Sequence, residues 1–349
     1  MADALLSPAV GGGMYAASAA AIIYSVKKIN NDELGEGKVP LMAVSGAMIF
    51  AAQMINFTIP GTGSSGHISG GILLAALLGP FAGLLAMSAV LVIQCLIFAD
   101  GGLLALGANI FNIGVISCLF VYPAITRRIF SGAPASKRIW TGSIISVITA
   151  LQLGAFAIVL QTVVSGIAEL PFSAFILLMQ PIHLAIGIVE GIVTAAVLNF
   201  VLTARPGMLA VRHGMLEPSA GSMKDMNKDD SNPKPIKKVI IVIACIAVIT
   251  GTILSLFSSG NPDGLEWSVI RTAGTSDLET QGRIFSVFSD IQQRLAFMQV
   301  YETGYEAGSH AGPGISPAGL IGAALVFALA GAAALIIHLV KKNRKNVLK

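Results

Sequence analysis

Long apolar runs separated by short clusters of charge dominate the chain. A transmembrane helix needs about 20 predominantly apolar residues. Runs of that kind cover Ala9 to Val26, Val39 to Phe57, Gly101 to Ile125, Ile139 to Ile167, Phe172 to Thr203, Val239 to Phe257 and Pro317 to Val340. Each predicts a spanning helix. Between the second and third runs lies Gly70 to Ala99, thirty uncharged residues interrupted by Gly79-Pro80, a pair at which a helix breaks or turns.

Basic clusters set the direction of these runs. Lys27, Lys28 and Lys38 mark one loop as cytoplasmic, and Arg127, Arg128, Lys137 and Arg138 mark a later one, by the positive-inside rule. Parity then requires Gly70 to Ala99 to cross an even number of times, and two short crossings hinged at Gly79-Pro80 satisfy it. The expectation is an all-α polytopic membrane protein of about nine spans, seven plus two. Its N-terminus lies outside and Lys341, Lys342, Arg344 and Lys345 lie inside, in a plasma membrane. No charged n-region or cleavage site precedes the first run, so no signal peptide is expected.

A boundary divides the chain. Residues 206–238 turn polar and rich in Pro, Ser, Lys and Asp, the composition of a linker. It joins a seven-span unit (1–205) to a two-span unit (239–349). The second unit carries an outside loop, 258–316, with seven acidic against three basic residues. Within it, Ile284, Val287, Phe288, Ile291 and Leu295 have the spacing of an amphipathic helix lying over the membrane unit.

Composition agrees with the pattern: 349 residues, 54% hydrophobic, 11% charged, 38 glycines and a mean hydropathy of +0.79. Soluble domains draw about a quarter of their residues from Asp, Glu, Lys and Arg, so a cytosolic enzyme is excluded. The net charge of +4 is too small to indicate nucleic-acid binding. It averages a basic inner face, holding 19 of the 22 basic residues, with an acidic outer loop of net charge −4. That polarity favours cations arriving from outside. Cys95, Cys118 and Cys245 lack metal-ligand spacing and read as small buried hydrophobes. No phosphate-cradling loop, zinc-helix motif or dinucleotide fingerprint is present, so the chain is not expected to hydrolyse ATP itself.

The most unusual stretch is Asn56-Phe57-Thr58-Ile59-Pro60-Gly61-Thr62-Gly63-Ser64-Ser65-Gly66-His67-Ile68-Ser69-Gly70-Gly71. Irregular backbone at membrane depth is tolerated only where protein covers it or it lines a cavity, so this stretch points to a site. His67 is a ligand candidate through a neutral ring nitrogen; the plainer reading has it bonding its own loop. His183 and Glu190, seven residues apart, share one helix face. They are either a packing pair or part of a transport path. Asp100, Asn109 and Asn112 cluster near the outer end of the Gly101 to Ile125 span, where they read as loop caps. Ala16, Ala17, Ala20 and Ala21 form two overlapping small-xxx-small pairs, a smooth face for another helix.

Leu6-Ser7-Pro8, Pro40-Leu41-Met42, Phe50 to Phe57 running into Gly63-Ser64-Ser65-Gly66-His67, Ala99-Asp100-Gly101-Gly102, Gly107 to Asn112 and His183 to Gly191 together resemble the CbiM/NikM family. These are the substrate-binding S components of energy-coupling-factor (ECF) transporters for cobalt and nickel. The tail, with Asn261-Pro262-Asp263-Gly264-Leu265-Glu266-Trp267-Ser268, is similar to the small CbiN/NikN subunit, so the chain looks like an M–N fusion. The resemblance implies Co²⁺ or Ni²⁺ as transported substrate with no permanently bound cofactor. It also implies partner chains: a membrane coupling subunit, for which Ala16 to Ala21 would be a contact face, and two cytoplasmic ATPases. In the family the N-terminal amine, a backbone amide and a histidine at position 2 hold the metal with the loop histidine, here His67. This chain begins Met1-Ala2-Asp3-Ala4, with no histidine there. Removal of Met1 would leave the Ala2 amine and Asp3 carboxylate as a harder set beside His67; alternatively Asp3 only caps a helix. Asn56 and Asn109 join His183 and Glu190 as transport-path candidates. Two other functions compete. An intramembrane serine protease would use Ser65 with His183 as base, and an S component for a different cargo would share the fold. A secondary transporter predicts an inverted repeat, which the sequence lacks.

Overall fold

The computed structural model describes residues 1–29, 38–131, 135–168, 170–204, 236–275, 278, 282–298 and 315–347. Most of the expected linker, 206–235, lies outside them, as do Asp277 and the far end of the outer loop.

After a 3-10 turn at Asp3–Leu5 the chain enters α1, Pro8–Lys28. Ser7 caps it through Oγ, Pro8 occupies the first turn, and Lys27 and Lys28 sit in the last, each favourable to the helix dipole or its orphan donors. α2 follows at Lys38–Gln53. Next comes a two-stranded antiparallel hairpin, β1 (Phe57–Ile59) with β2 (Ser64–Gly66), registering Phe57 against Gly66. α3 (Gly71–Leu78) and α4 (Pro80–Phe98) meet at the expected hinge. There Gly79 takes φ +91°, a left-handed conformation open to glycine, and Pro80 starts the next helix.

α5 runs Leu106–Phe130, with its Ile110–Thr126 portion wound as π-helix around Pro123. α6 (Ser136–Ser165) and α7 (Phe172–Ala204) form a long antiparallel hairpin. Their close approach uses two glycines of α7, since a Cβ at Gly187 would stand 3.1 Å from Ile148 Cα and one at Gly191 2.8 Å from Ile144 Cα. This small-xxx-small pair does for α7 what the alanines of α1 were expected to do. The second unit comprises α8 (Ile236–Thr252), α9 (Gly264–Ala273), α10 (Arg283–Leu295) and α11 (Ile315–Val347).

Among the described residues six helices are long and apolar enough to cross a membrane, and α2 and α8 are shorter apolar helices. The fold is all-α and polytopic. The expected pair of crossings in Gly70 to Ala99 differs in one respect: α3 has only 8 residues, a rise of about 12 Å against a hydrocarbon core of about 30 Å. It is too short to cross on its own.

Two outward features also differ from expectation. Cys245 is exposed, whereas Cys95 and Cys118 are buried. On α10 the residues Ile284, Val287, Ile291 and Leu295 are exposed, and Phe285 is its buried side chain. Gln292 ties that inner side to the end of α4, donating to the carbonyls of Cys95 (3.0 Å) and Gly101 (2.8 Å).

Candidate functional site

Glu190 anchors the segment that leads from the hairpin into α3. Glu190 is fully buried midway along α7. Its Oε2 accepts from the Ser69 amide at 2.8 Å, and its Oε1 accepts from Ser69 Oγ at 2.8 Å and the Gly70 amide at 2.9 Å. Gln53 at the end of α2 donates to the Ser69 carbonyl at 2.8 Å and accepts from Gln94 at 2.8 Å. The backbone polar groups of Ser69-Gly70, which lipid could not satisfy, are thus answered by side chains, and α3 starts from membrane depth.

A cavity of about 110 Å³ opens under the hairpin. His67, Ser69, Asn109, Asn112 and His183 line it, with Met1 on one side and Asp263, Gly264 and Leu265 on another. His183 Nδ1 lies 2.8 Å from the Met179 carbonyl. A carbonyl only accepts, so Nδ1 carries the proton, and in the neutral ring it is Nε2 that holds the lone pair. His67 Nδ1 faces the Ile68 carbonyl at 3.4 Å, a weaker bond with the same consequence. Two imidazoles on one cavity, each with Nδ1 turned to a backbone carbonyl, have the second-shell arrangement of metal-ligating histidines. Among the described residues no three His, Cys, Asp or Glu side chains stand close enough to hold one ion.

The other candidates are dispersed. Asp3 is not on the cavity wall; its Oδ1 accepts from the Ala105 amide at 2.8 Å, and burial pushes its carboxyl up from the usual range against that hydrogen bond. Ala2 is exposed. Asn109 donates to the Met1 carbonyl at 3.4 Å, and Asn112 exchanges hydrogen bonds with Gln161 at 2.8 and 2.9 Å. Asn56 serves through its backbone: its amide donates to Ser258 Oγ at 2.8 Å and its carbonyl accepts from the Ser259 amide at 2.7 Å. On α1, Ala16 and Ala20 are exposed while Ala17 and Ala21 are half-buried. Ser18 faces inward, donating to the Gly107 carbonyl at 2.6 Å.

The second unit closes over the cavity. Ser65 donates its amide to the Pro262 carbonyl at 2.8 Å and its hydroxyl to the Asn261 carbonyl at 2.7 Å, and Trp267 Nε1 donates to the Thr62 carbonyl at 3.0 Å. Ser65 Oγ therefore bonds a carbonyl rather than His183, and the serine–histidine pair that a protease needs is not assembled. Asp263 caps α9, accepting from the Glu266 amide at 2.8 Å. Its place at the cavity is beyond the reach of sequence spacing, since nearly 200 residues separate it from His67.

Comparison with known proteins bears on both units. Residues 1–208 match the family described as CbiM, cobalt uptake substrate-specific transmembrane region, and residues 237–339 match the PDGLE domain. A protein of Haloquadratum walsbyi provisionally named as a metal transport protein is 39% identical, covering 59% of this chain and 91% of that one. The fused nickel transport protein NikMN of Rhodobacter capsulatus is 31% identical over 62% of this chain and 65% of its own length, so the match spans just under two thirds of that relative. A crystal structure of a truncated transition metal transporter superposes with a TM-score of 0.51 at 30% identity, covering 58% of this chain and 98% of that one.

Proposed function

We propose that this chain, which belongs to the CbiM family of cobalt-uptake substrate-specific transmembrane regions fused to a PDGLE unit, is the substrate-binding membrane subunit of an ECF-type importer. Its cargo is a nickel or cobalt cation. ATP hydrolysis is supplied by separate cytoplasmic subunits acting through a membrane coupling subunit.

The cavity beneath the hairpin carries this reading. It presents two imidazoles, from His67 and His183, and one carboxylate, from Asp263, in a wall otherwise made of small, apolar or amide side chains. Imidazole nitrogen suits nickel and cobalt, and hard cations such as magnesium prefer oxygen. Asp3 is committed to the backbone of the following loop, so the ligand set proposed here rests on the two histidines, with Met1 at the cavity's edge. The exposed small residues of α1, Gly12, Gly13, Ala16, Ala19 and Ala20, support a helix-docking face for the coupling subunit. The basic residues at Lys27, Lys28, Arg127 and Arg128 support an inward orientation of those helix ends.

Nickel and cobalt titrations of the purified full chain in nanodiscs test the site. His67→Ala and His183→Ala are each expected to weaken binding by about tenfold or more, one ligand's worth of affinity on the order of 1.4 kcal/mol or above. Wild-type affinity in both variants would overturn the reading.

A further inference from the structure

We infer that Asp263, from the C-terminal unit, is the anionic counterpart of the cargo in this cavity and sets its preference for a doubly charged cation. The inference rests on the cavity being the metal site proposed above, and it assigns the second unit a chemical contribution in addition to a covering one.

Charge accounting leads to it. Of the described residues that line the cavity, Asp263 is the sole carboxylate. Glu190 lies behind the wall with both oxygens taken by Ser69 and Gly70. The remaining polar lining consists of His67, His183, Ser69, Ser117, Asn109 and Asn112, none of which carries negative charge. A divalent cation entering such a space loses water and gains no compensating charge unless a carboxylate faces it, and burying an uncompensated charge is costly.

Position and local field agree. Asp263 lies within electrostatic reach of His183 and of Asp100. One of its oxygens caps α9 at the Glu266 amide, which leaves the other without a hydrogen-bond partner among the described residues. The capped end of α9 is itself at the cavity, through Gly264 and Leu265. A helix N-terminus carries partial positive charge, so without the carboxylate this covering segment would repel the cargo.

The placement is enforced by packing. A Cβ at Gly264 would stand 2.5 Å from Ile182 Cγ2 and 3.5 Å from His183 Cε1, so a residue with no side chain lets the segment settle on α7. Hydrogen bonds from Ser65 and Trp267 hold it on either side. Since no three His, Cys, Asp or Glu side chains among the described residues converge on one point, Asp263 acts through charge at a distance, with the imidazoles making the bonds.

Asp263→Asn and Asp263→Ser separate charge from structure, because Asn and Ser cap helices about as well as Asp. In the full chain both are expected to bind nickel and cobalt roughly ten- to a hundredfold more weakly, the scale of losing one partly screened unit charge, with an unchanged melting temperature. Asp290→Asn on α10, which removes the same charge from an exposed position, should bind as wild type. Wild-type affinity in both Asp263 variants overturns the inference, as does a loss matched by Asp290→Asn or accompanied by a lowered melting temperature. If His67→Ala and His183→Ala still weaken binding in that case, the cavity reading stands and only the role of Asp263 fails; if they do not, the cavity reading itself has failed.

Discussion

Glu190 illustrates how much one side chain organises here. Three donors converge on two oxygens, and a glutamine of the same shape cannot serve them. In either amide orientation its NH₂ group meets a backbone N–H, of Ser69 or of Gly70, and one buried donor is left facing another. Hydrogen bonds to charged groups contribute about 1.5–3 kcal/mol, so Glu190→Gln should lower the thermal midpoint measurably in detergent and, by loosening the loop that carries His67, weaken nickel binding as well. An unchanged midpoint would show that the carboxylate does not hold the hairpin end. From sequence, Glu190 stands out because an ionisable group inside a span is costly in lipid. Its partners do not, because Ser69 and Gly70 lie about 120 residues away and backbone donors leave no mark in composition. The packing-pair reading of His183 with Glu190 fares differently: each bonds other groups, His183 the Met179 carbonyl and Glu190 the loop.

At the scale of elements, the junction of β2, α7 and α9 decides whether the cavity has its shape. Gly66 and Gly264 both approach α7 from above, and a Cβ at Gly66 would overlap the side chain of Ile186. Gly66→Ala therefore forces either the hairpin or Ile186 to shift. Overpacking of this kind costs about 1–3 kcal/mol, and the expected outcome is reduced metal affinity. Removing the obstacle should restore it: Gly66→Ala combined with Ile186→Ala is expected to bind nickel better than Gly66→Ala alone, and the absence of any rescue would place the defect elsewhere. The long spans and the Gly79-Pro80 hinge are readable from the sequence, since runs of about 20 apolar residues have few other fates and proline starts helices but does not continue them. The short hairpin is not readable, because Gly61-Thr62-Gly63-Ser64 carries turn chemistry in a stretch too short for a period-2 pattern. The length of α3 is likewise hidden, since an apolar run does not tell where irregular backbone inside the membrane gives way to helix. On α10 the apolar spacing locates the helix, yet the face it buries is the Phe285 and Gln292 side. In a membrane protein an apolar face has lipid as well as protein to turn to.

Across the whole molecule, the two units are joined by more than the covalent link between them. α2, buried along nearly all of its length, is flanked by α8 and α11 of the second unit. A Cβ at Gly46 would stand 3.2 Å from Val326 Cγ1, and one at Gly319 2.6 Å from the Gly251 carbonyl oxygen, so α11 lies close on α2 and on α8. The Phe50 ring occupies the space beside Gly322 and packs at a tilt against Phe98, with ring centroids 5.4 Å apart. Helices in lipid associate through such close van der Waals packing, with no hydrophobic force to substitute for it. The outer segment adds polar ties, from Asn56 to Ser258 and Ser259 and from Ser65 to Asn261 and Pro262. The covalent link should then be dispensable once the protein is assembled. With a protease site inserted in residues 206–235, cleavage in a mild detergent is expected to leave the two fragments co-eluting on a sizing column, with nickel affinity within about twofold of the uncut chain, since no contact at the cavity is lost. Separation of the fragments would mean that the linker, and not the interface around α2, holds the second unit in place. Co-elution with lost affinity would mean that the interface survives while the segment carrying Asp263 lifts from the cavity, assigning the linker a part in seating it.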